Sequence, residues 1–407
     1  MLFVFLVGEA RPVSAYSVLT HEAIIDASWD DAIVPVLRAR FAVSADGLRH
    51  ARAYAYGGCI IQDIGYYPMS SRLFGDLTHY VRGGDFIRAM IRDARDVDEL
   101  AFALGALAHY AADNDGHQIA VNPAVPLLFP KLAAKYGTPV TYERSPSAHL
   151  RTEFAFDVVQ VARGRYLSDA YHDFIGFEVS KSVLERAFLS TYGLELGDVF
   201  GSVDTAIGTF RWTVGTLVPK LVNTAWASKR DQVDQAGQVS QDPVTFTFSR
   251  DEFEREYGHD YRRPGLGVRI VAWLVRIVPK IGPFKPLAFK APTPEAQRLF
   301  LSSFATVVDH YHQLLADVKA GRLTIVDRNF DTGLPVKAGA YGLVDETYAA
   351  LLSRLASRQF LHVDAALRAD LLTFYRDLDA PIATKKDAHD WRLLLAQLEV
   401  LKAQNSR

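Results

Sequence analysis

The chain has 407 residues, of which 49% are hydrophobic and 23% charged, and its formal net charge is −2. This balance is typical of a folded globular protein; it excludes wholesale disorder and gives no bulk electrostatic reason to expect a nucleic-acid partner. The single cysteine, Cys59, excludes internal disulfides, so the fold depends on its core and on any bound metal.

The N-terminus predicts a cleaved signal peptide. Residues 2–7 are apolar, and a small-residue site ends at Ala15. This pattern predicts a signal peptide over residues 1–15 and a mature chain that begins at Tyr16. We therefore expect a secreted or periplasmic protein. No later segment has the roughly 18 uninterrupted apolar residues that a membrane-spanning helix needs.

Apolar residues recur with the helical period along most of the chain. The pattern predicts helices at 21–42, 97–117, 147–163, 170–190, 201–222, 295–320, 344–357, 362–377 and 387–403. Residues 243–249 are the best strand candidate, because apolar and polar side chains alternate there. The sequence therefore predicts an all-α, multi-helix bundle. A domain boundary is placed near residue 261, between a first domain over residues 16–260 and a helical C-terminal extension of unknown role over residues 261–407.

Residues 261–294 form an unusual stretch beside this predicted boundary. They include seven Arg or Lys, no acidic residue, and the aromatic residues Trp273, Phe284 and Phe289. Cations beside interfacial aromatics favour an anionic lipid surface, which predicts peripheral membrane contact here. A packed linker with solvated cations explains the same residues, and the sequence leaves both explanations open.

Half of the twelve histidines lie in the first 160 residues, where several of them are regularly spaced with carboxylates. His109, Asp113 and His117 follow one another at steps of four, and His149 and Glu153 repeat that step. Side chains four residues apart lie on one face of a helix, so each set presents its ligands in one direction. The complete series contains His21, Asp63, His79, His109, Asp113, His117, His149 and Glu153.

A bound metal explains this series better than eight independent polar residues do. A lone histidine is more often a hydrogen-bonded core residue than a ligand. The helix around His109 is apolar, however, and a His–Asp pair without a partner would be costly to bury there. Imidazole nitrogen and carboxylate oxygen, without thiolate, are ligands suited to catalytic zinc.

The series resembles the zinc-dependent phospholipase C family of bacteria. It is also similar to the three-zinc single-strand nucleases of fungi and to the N-terminal domain of glycosylphosphatidylinositol-specific phospholipase D. The resemblance covers residues 16–160 by motif and extends to about residue 260 by helical pattern. It implies a phosphoesterase domain over residues 16–260 that binds three zinc ions and no organic cofactor.

The resemblance implies that the first zinc ion depends on signal-peptide removal. Tyr16 would bind it through the amino nitrogen and the carbonyl oxygen, and His21 and Asp113 would complete its protein ligands. Only cleavage before Tyr16 creates the free amino group. That group has an ordinary pKa of about 8, so a metal can take it in the neutral form.

The resemblance assigns the remaining ligands to two further zinc ions. The second ion would share Asp113 with the first and would have three more ligands: Asp63, His79 and His109. The third ion would have three ligands of its own: His117, His149 and Glu153.

The implied activity is that of a phospholipase C, which hydrolyses the glycerol-side phosphodiester bond of phospholipids by metal-activated water. Close metal pairs assist in-line displacement at phosphorus. Asp63 is the candidate catalytic residue, which would orient or deprotonate the water while also binding zinc. Two departures leave the head group open: Asp76 stands where an aromatic is expected three residues before His79, and Ile64 follows Asp63 where a tyrosine is expected.

Two alternatives remain open from the sequence. A three-zinc single-strand nuclease or 3′-nucleotidase would act on nucleic acid and would use base-stacking aromatics, for which the candidates are Tyr54, Tyr56, Tyr66, Tyr67 and Tyr80. The fungal relatives carry disulfides that this chain cannot form, which favours the lipase. A non-catalytic, zinc-stabilised binding protein would hold metal without turning over any phosphoester.

Overall fold

Helix α6, Val97–Gly116, runs through the centre of the molecule. Alanine and leucine dominate its sequence and are strong helix formers. The Asp96 side chain caps its N-terminus by accepting a hydrogen bond from the Glu99 backbone amide at 2.8 Å. Almost every side chain of α6 is buried, because helices pack on several sides of it: α3 (Ala45–Gly58), α5 (Gly83–Asp93) and α15 (Pro294–Lys319).

The computed structural model describes residues 16–166, 175–237 and 288–404. Besides the helices already named, these residues form α1 (Val18–Ser28), α2 (Val34–Arg40), α4 (Arg72–Tyr80), α7 (Asn122–Leu128), α8 (Pro130–Tyr136), α9 (Pro146–Ala162), α10 (Lys181–Tyr192), α11 (Leu196–Val199), α12 (Val203–Trp212), α13 (Val218–Ser228), α14 (Arg230–Gly237), α16 (Gly342–Ser357), α17 (Ala365–Phe374) and α18 (Ala388–Ala403). The predicted all-α fold is confirmed.

Short irregular elements connect some of these helices. Three π-helical turns extend helix ends at Trp29–Ile33, His117–Val121 and Thr213–Leu217, and 3-10 turns occupy Ile61–Tyr66, Tyr142–Arg144 and Ala383–Lys386. Within the described ranges the only strands are β1 (Arg328–Asn329) and β2 (Leu334–Pro335), which pair antiparallel with Arg328 opposite Pro335. No helix in these ranges is long and apolar enough to cross a bilayer.

Helices α3 and α6 lie unusually close together because glycines form the contact. A Cβ atom placed on Gly58 would lie 1.9 Å from the Phe102 carbonyl oxygen, and one placed on Gly105 would lie 2.2 Å from the Ala55 carbonyl oxygen. Neither position accepts a larger residue at this separation. The close approach places the end of α3 beside the face of α6 that carries His109.

The C-terminal region packs directly on the helices that carry the predicted ligands. Helix α15 contacts α1, α2, α6 and α7, and α16 contacts α4. The hydroxyl groups of Ser303 on α15 and Tyr16 are hydrogen-bonded. The predicted boundary near residue 261, the signal peptide at 1–15 and the strand at 243–249 lie outside the described residues, so they stay predictions.

Most predicted helices are present, with ends that differ by a few residues. The exception among described residues is 170–190, where residues 176–180 are not helical and the next helix begins at Lys181. The backbone of this segment is hydrogen-bonded to another helix: the Glu178 amide donates to the Ala53 carbonyl oxygen on α3 at 2.9 Å.

Candidate metal centre

The eight side chains of the predicted ligand series meet at one place in the fold. His21 comes from α1, Asp63 from the 3-10 turn after α3, and His79 from α4. Helix α6 and its π-helical end contribute three more: His109, Asp113 and His117. The last two, on α9, are His149 and Glu153. All eight are between 0% and 4% exposed, so water does not compensate their charges.

Asp113 lies at the centre of the larger group. Its Oδ1 is 3.5 Å from the Nε2 atom of His21. Its Oδ2 is 3.4 Å from Nε2 of His79 and 3.3 Å from Nε2 of His109. Two oxygens that face different histidines are what a carboxylate needs to bridge two metal ions.

Asp63 joins the same group from the opposite side. Its Oδ1 lies 3.4 Å from Nε2 of His79. Ligand atoms of His21, Asp63 and His109 lie within 4.8 Å of one another, as do those of His79, His109 and Asp113. The structure thus contains two overlapping triads, and Asp63 belongs to a triad with His21 as well as lying beside His79, with which the sequence grouped it.

His117, His149 and Glu153 form a separate group. The Glu153 Oε1 atom is 3.9 Å from Nε2 of His117 and 3.8 Å from Nδ1 of His149. His117 lies one helical turn, or about 6 Å along the helix axis, beyond Asp113 and two turns beyond His109. This spacing separates His117 from His109. A π-helical turn begins at His117, and such turns are frequent at functional sites.

Backbone carbonyl groups orient four of the histidines. The Nδ1 atoms of His79, His109 and His117 lie 2.7, 2.9 and 2.8 Å from the carbonyl oxygens of Gly75, Cys59 and Phe330 respectively. Nε2 of His149 is 2.6 Å from the Val140 carbonyl oxygen. A carbonyl only accepts, so each of these nitrogens carries the hydrogen, and the opposite ring nitrogen is left with a lone pair directed into the group.

The lone pairs of His79 and His109 face each other across 3.3 Å between their Nε2 atoms. Two acceptors at this distance need a cation or a proton between them. Six ligand atoms, moreover, have no hydrogen-bond partner among the described residues: Oδ1 of Asp63, Oδ1 and Oδ2 of Asp113, Nε2 of His117, Nδ1 of His149 and Oε1 of Glu153.

Unpaired buried atoms of this kind are costly, by about 1–3 kcal/mol each and more when charged. Metal coordination removes that cost, and nitrogen and oxygen donors without sulfur suit zinc. The residues present therefore fit zinc. The larger group supplies five side-chain ligands and the smaller supplies three, so a four-coordinate zinc ion in the smaller group would have one position for water or substrate.

The pKa values in the larger group depend on the balance between burial and the neighbouring charges. Burial, reinforced by His109, lowers the pKa of His21 to about 3. Burial acts on His79 in the same direction, yet its contacts with Asp113 and Asp63 raise the pKa to about 10. Burial would raise the pKa of Asp113, but His109 and His79 hold it well below its usual range.

Burial governs the second group and Asp63. It lowers the pKa of His149 to about 3, helped by His117, so this imidazole stays neutral and able to bind metal. Burial also raises the pKa of Glu153 well above its ordinary value, with Asp113 adding to the shift. Burial likewise raises the pKa of Asp63. Without a metal ion, burial therefore favours the protonated form of both carboxyl groups.

Tyr16 lies where the predicted first ligand is needed. Its side chain is fully buried, and its ring centroid is 6.2 Å from that of His21. A Cβ atom on Gly116 would lie 2.7 Å from the Tyr16 ring, so the glycine makes room for it. Ligation by the Tyr16 amino group requires cleavage before this residue and stays a prediction.

Asp157 joins α1 to α9 and so joins the two groups. Its carboxylate accepts hydrogen bonds from the amides of Leu19 and Thr20, both at 3.1 Å, and from the Thr20 hydroxyl at 2.6 Å. Burial raises the pKa of Asp157 to about 7 against these bonds. These hydrogen bonds hold the first turn of α1, just before His21, against α9 at a position one turn beyond Glu153.

The structure describes residues from two other predicted sets, the base-stacking tyrosines and the interfacial aromatics. Of the candidate base-stacking tyrosines, the three buried ones are Tyr56, Tyr66 and Tyr80. Phe289, proposed as an interfacial aromatic, is 1% exposed and packs edge-on against Phe154 with ring centroids 5.7 Å apart. That residue is part of the core, and membrane contact through the rest of 261–294 stays a prediction.

The fold and the site define a class: an all-α protein with buried clusters of imidazole and carboxylate that fit a zinc-dependent hydrolase. The comparison with protein families agrees. Residues 20–202 match the family described as zinc dependent phospholipase C. The match contains every predicted ligand except Tyr16. No significant match was found among curated proteins or solved structures.

Sequence reasoning missed the layer outside the ligands. The Phe330 carbonyl, which orients His117, lies far beyond the matched residues, and Asp157 lies only four residues after Glu153. A backbone carbonyl leaves no signal in a sequence. The spacing of Glu153 and Asp157 could have suggested that the polar face of α9 continues.

Proposed function

We propose that this protein is a zinc-dependent phospholipase C that hydrolyses the glycerol-side phosphodiester bond of phospholipids. One observation carries the proposal: six unpartnered ligand atoms converge in two buried groups, within a region that matches a family of zinc-dependent phospholipases C. The larger group would hold two zinc ions bridged by Asp113, and the smaller would hold the third. Zinc in these positions supplies positive charge and Lewis acidity for displacement at phosphorus.

Asp63 is the residue we assign to proton transfer. Its Oδ1 has no hydrogen-bond partner among the described residues, and burial raises its pKa, which makes the carboxylate a better proton acceptor. In this role Asp63 orients the attacking water and takes its proton. The carbonyl oxygens of Gly75 and Cys59 accept from Nδ1 of His79 and His109 and keep both rings oriented.

We further propose export with cleavage before Tyr16, which gives a secreted or periplasmic enzyme. The burial of Tyr16 against His21 supports this start, because it places the residue beside another predicted ligand of the first zinc ion. Protein beginning at Tyr16 should bind about one zinc more per chain than protein carrying a single extra residue before it. Equal zinc content in the two proteins would remove this ligand from the proposal.

The decisive assay uses purified protein that begins at Tyr16. Zinc per chain is measured first. Phosphatidylcholine, phosphatidylethanolamine and single-stranded DNA are then assayed side by side, with and without chelator. Chelator-sensitive release of diacylglycerol establishes the lipase. DNA cleavage without lipid turnover would transfer the protein to the nuclease class, and bound zinc without any turnover would indicate a binding protein.

A further inference from the structure

Three buried polar atoms next to the metal centre have no hydrogen-bond partner among the described residues and are not predicted ligands. They are the hydroxyl groups of Tyr66 and Tyr142 and the Oδ1 atom of Asp331. The three residues are 7%, 2% and 0% exposed. An unsatisfied buried polar group needs a reason, such as a bound ligand.

Each of these residues touches a different part of the candidate centre. The Tyr66 ring centroid is 5.9 Å from that of His79, and the Tyr142 ring centroid is 5.9 Å from that of His149. Asp331 directly follows Phe330, whose carbonyl oxygen accepts from His117. The three polar atoms therefore border both ligand groups, although they come from three separate segments.

The three residues also belong together. Tyr66 and Tyr142 pack against each other in one small cluster. Tyr341 links Asp331 to the segment of Tyr142, because its hydroxyl donates to Asp331 and accepts from the backbone amide of Glu143. A tyrosine phenol is protonated at neutral pH and can donate a hydrogen bond.

Four hydrogen bonds hold Asp331 in place, and its Oδ1 atom takes part in none of them. Its Oδ2 accepts from the hydroxyl groups of Tyr80 at 2.8 Å and Tyr341 at 2.7 Å. Its backbone oxygen accepts from the Asn122 amide group at 2.7 Å, and its backbone amide donates to Oδ1 of Asn329 at 3.0 Å. These bonds fix the carboxylate, so Oδ1 is an oriented acceptor.

A cavity of about 640 Å³ lies beside this cluster, between α4 and α16, and is lined partly by Asp76 and Leu343. Leu343 contacts both the cavity and the two phenols, because it packs on Tyr66 and Tyr142. Asp76 lies one turn before His79 and Tyr80 on α4.

We propose that Tyr66, Tyr142 and Asp331 form a subsite for the polar head group of the phospholipid. The phenols donate to oxygens of the phosphate-bearing part, and Oδ1 of Asp331 accepts from an N–H or O–H of the head group. The substrate class is thus phospholipids whose head group carries a hydrogen-bond donor, such as ethanolamine or glycerol. This inference rests on the proposed phospholipase C activity, and Asp331 lies outside the family-matched region.

Phosphatidylcholine provides the critical comparison, because its quaternary ammonium carries no N–H or O–H. Such a substrate would leave the buried Oδ1 atom of Asp331 without a hydrogen bond, which lowers the affinity for this substrate. The zinc-loaded protein should turn over phosphatidylethanolamine or phosphatidylglycerol with a kcat/KM about 10- to 100-fold above that for phosphatidylcholine. Comparison of the ethanolamine and glycerol substrates then separates an ammonium donor from a hydroxyl donor.

The test variant is Asp331→Asn, which removes the charge and keeps the shape. It should lose most of the preference while its zinc content stays unchanged. Tyr66→Phe removes one donor without altering the carboxylate and should raise KM for all three lipids more than it lowers kcat. Tyr311→Phe is the matched control, because that buried tyrosine donates to the Leu104 carbonyl oxygen in the core.

Calorimetry gives a readout that does not require turnover. Phosphoethanolamine, glycerol phosphate and phosphocholine are titrated into zinc-loaded wild-type protein and the Asp331→Asn variant. Tighter binding of a donor-bearing compound, lost in the variant, supports the subsite. Equal binding of all three compounds, or a preference that survives in Asp331→Asn, overturns it. Absence of lipid turnover with discrimination intact would count against the proposed function and not against the subsite.

Discussion

Replacement of Gly105 by alanine tests whether the close contact between α3 and α6 positions the metal ligands. The added Cβ would lie 2.2 Å from the Ala55 carbonyl oxygen, about 1.2 Å inside the 3.4 Å at which ordinary contact begins. The obstruction is backbone, so the helices must separate. Overpacking of this kind costs about 1–3 kcal/mol, which exceeds the roughly 1 kcal/mol that alanine gains over glycine in a helix.

The separation should also weaken zinc binding. Gly105 lies one turn before His109, whose Nδ1 is 2.9 Å from the carbonyl oxygen of Cys59 at the end of α3. Movement of α6 away from α3 lengthens this bond, and loss of such an outer partner typically costs about 10- to 100-fold in metal affinity. We expect a lower melting temperature with chelator present and a reduced zinc content without it.

Gly208→Ala provides the matched control. A Cβ atom at this exposed position in α12 meets nothing within 4 Å, so alanine should stabilise the protein by up to about 1 kcal/mol and leave zinc content unchanged. Thermal unfolding and zinc analysis are run on both variants. If Gly105→Ala matched Gly208→Ala in stability and zinc content, the argument from helix contact would be refuted.

Three further predictions concern carboxylates. Asp113→Ala should lower zinc affinity by well over 100-fold, because loss of even an outer partner costs about 10- to 100-fold; full zinc content by elemental analysis would contradict the site. Asp157→Ala should destabilise the protein by on the order of 3 kcal/mol in denaturant unfolding, since it removes the acceptor of the Leu19 amide and one acceptor each of the Thr20 amide and hydroxyl; an unchanged midpoint would remove this link between α1 and α9. Burial raises the pKa of Asp370 to about 6; the folded state therefore binds more protons than the unfolded state, and stability should fall between about pH 4 and pH 6 by at most about 3 kcal/mol. Asp370→Asn should flatten that part of the stability curve, and an unaltered slope would contradict the assignment.

The helical class and the ligand set were accessible from the sequence because both depend on local spacing. The long apolar run of α6 carries its own helical signal, and steps of four define its ligand face. Helices α3, α4 and α5 were missed. Segment 176–180 was wrongly predicted as helical, because its backbone instead bonds to α3. Contacts between distant segments, such as Phe330 with His117, depend on tertiary packing that no spacing encodes.

The distribution of outer partners indicates that the functional unit is larger than the family-matched region. The ligands themselves lie within residues 20–202, with Tyr16 just before them. The groups that orient them extend further: the Phe330 carbonyl fixes His117, and Ser303 bonds to the Tyr16 hydroxyl. The Phe330 amide, 3.2 Å from the His79 carbonyl oxygen, ties the same residue to the other ligand group. Since one residue holds histidines of both groups, the C-terminal region is part of the metal centre's architecture, whatever further role residues 261–407 have.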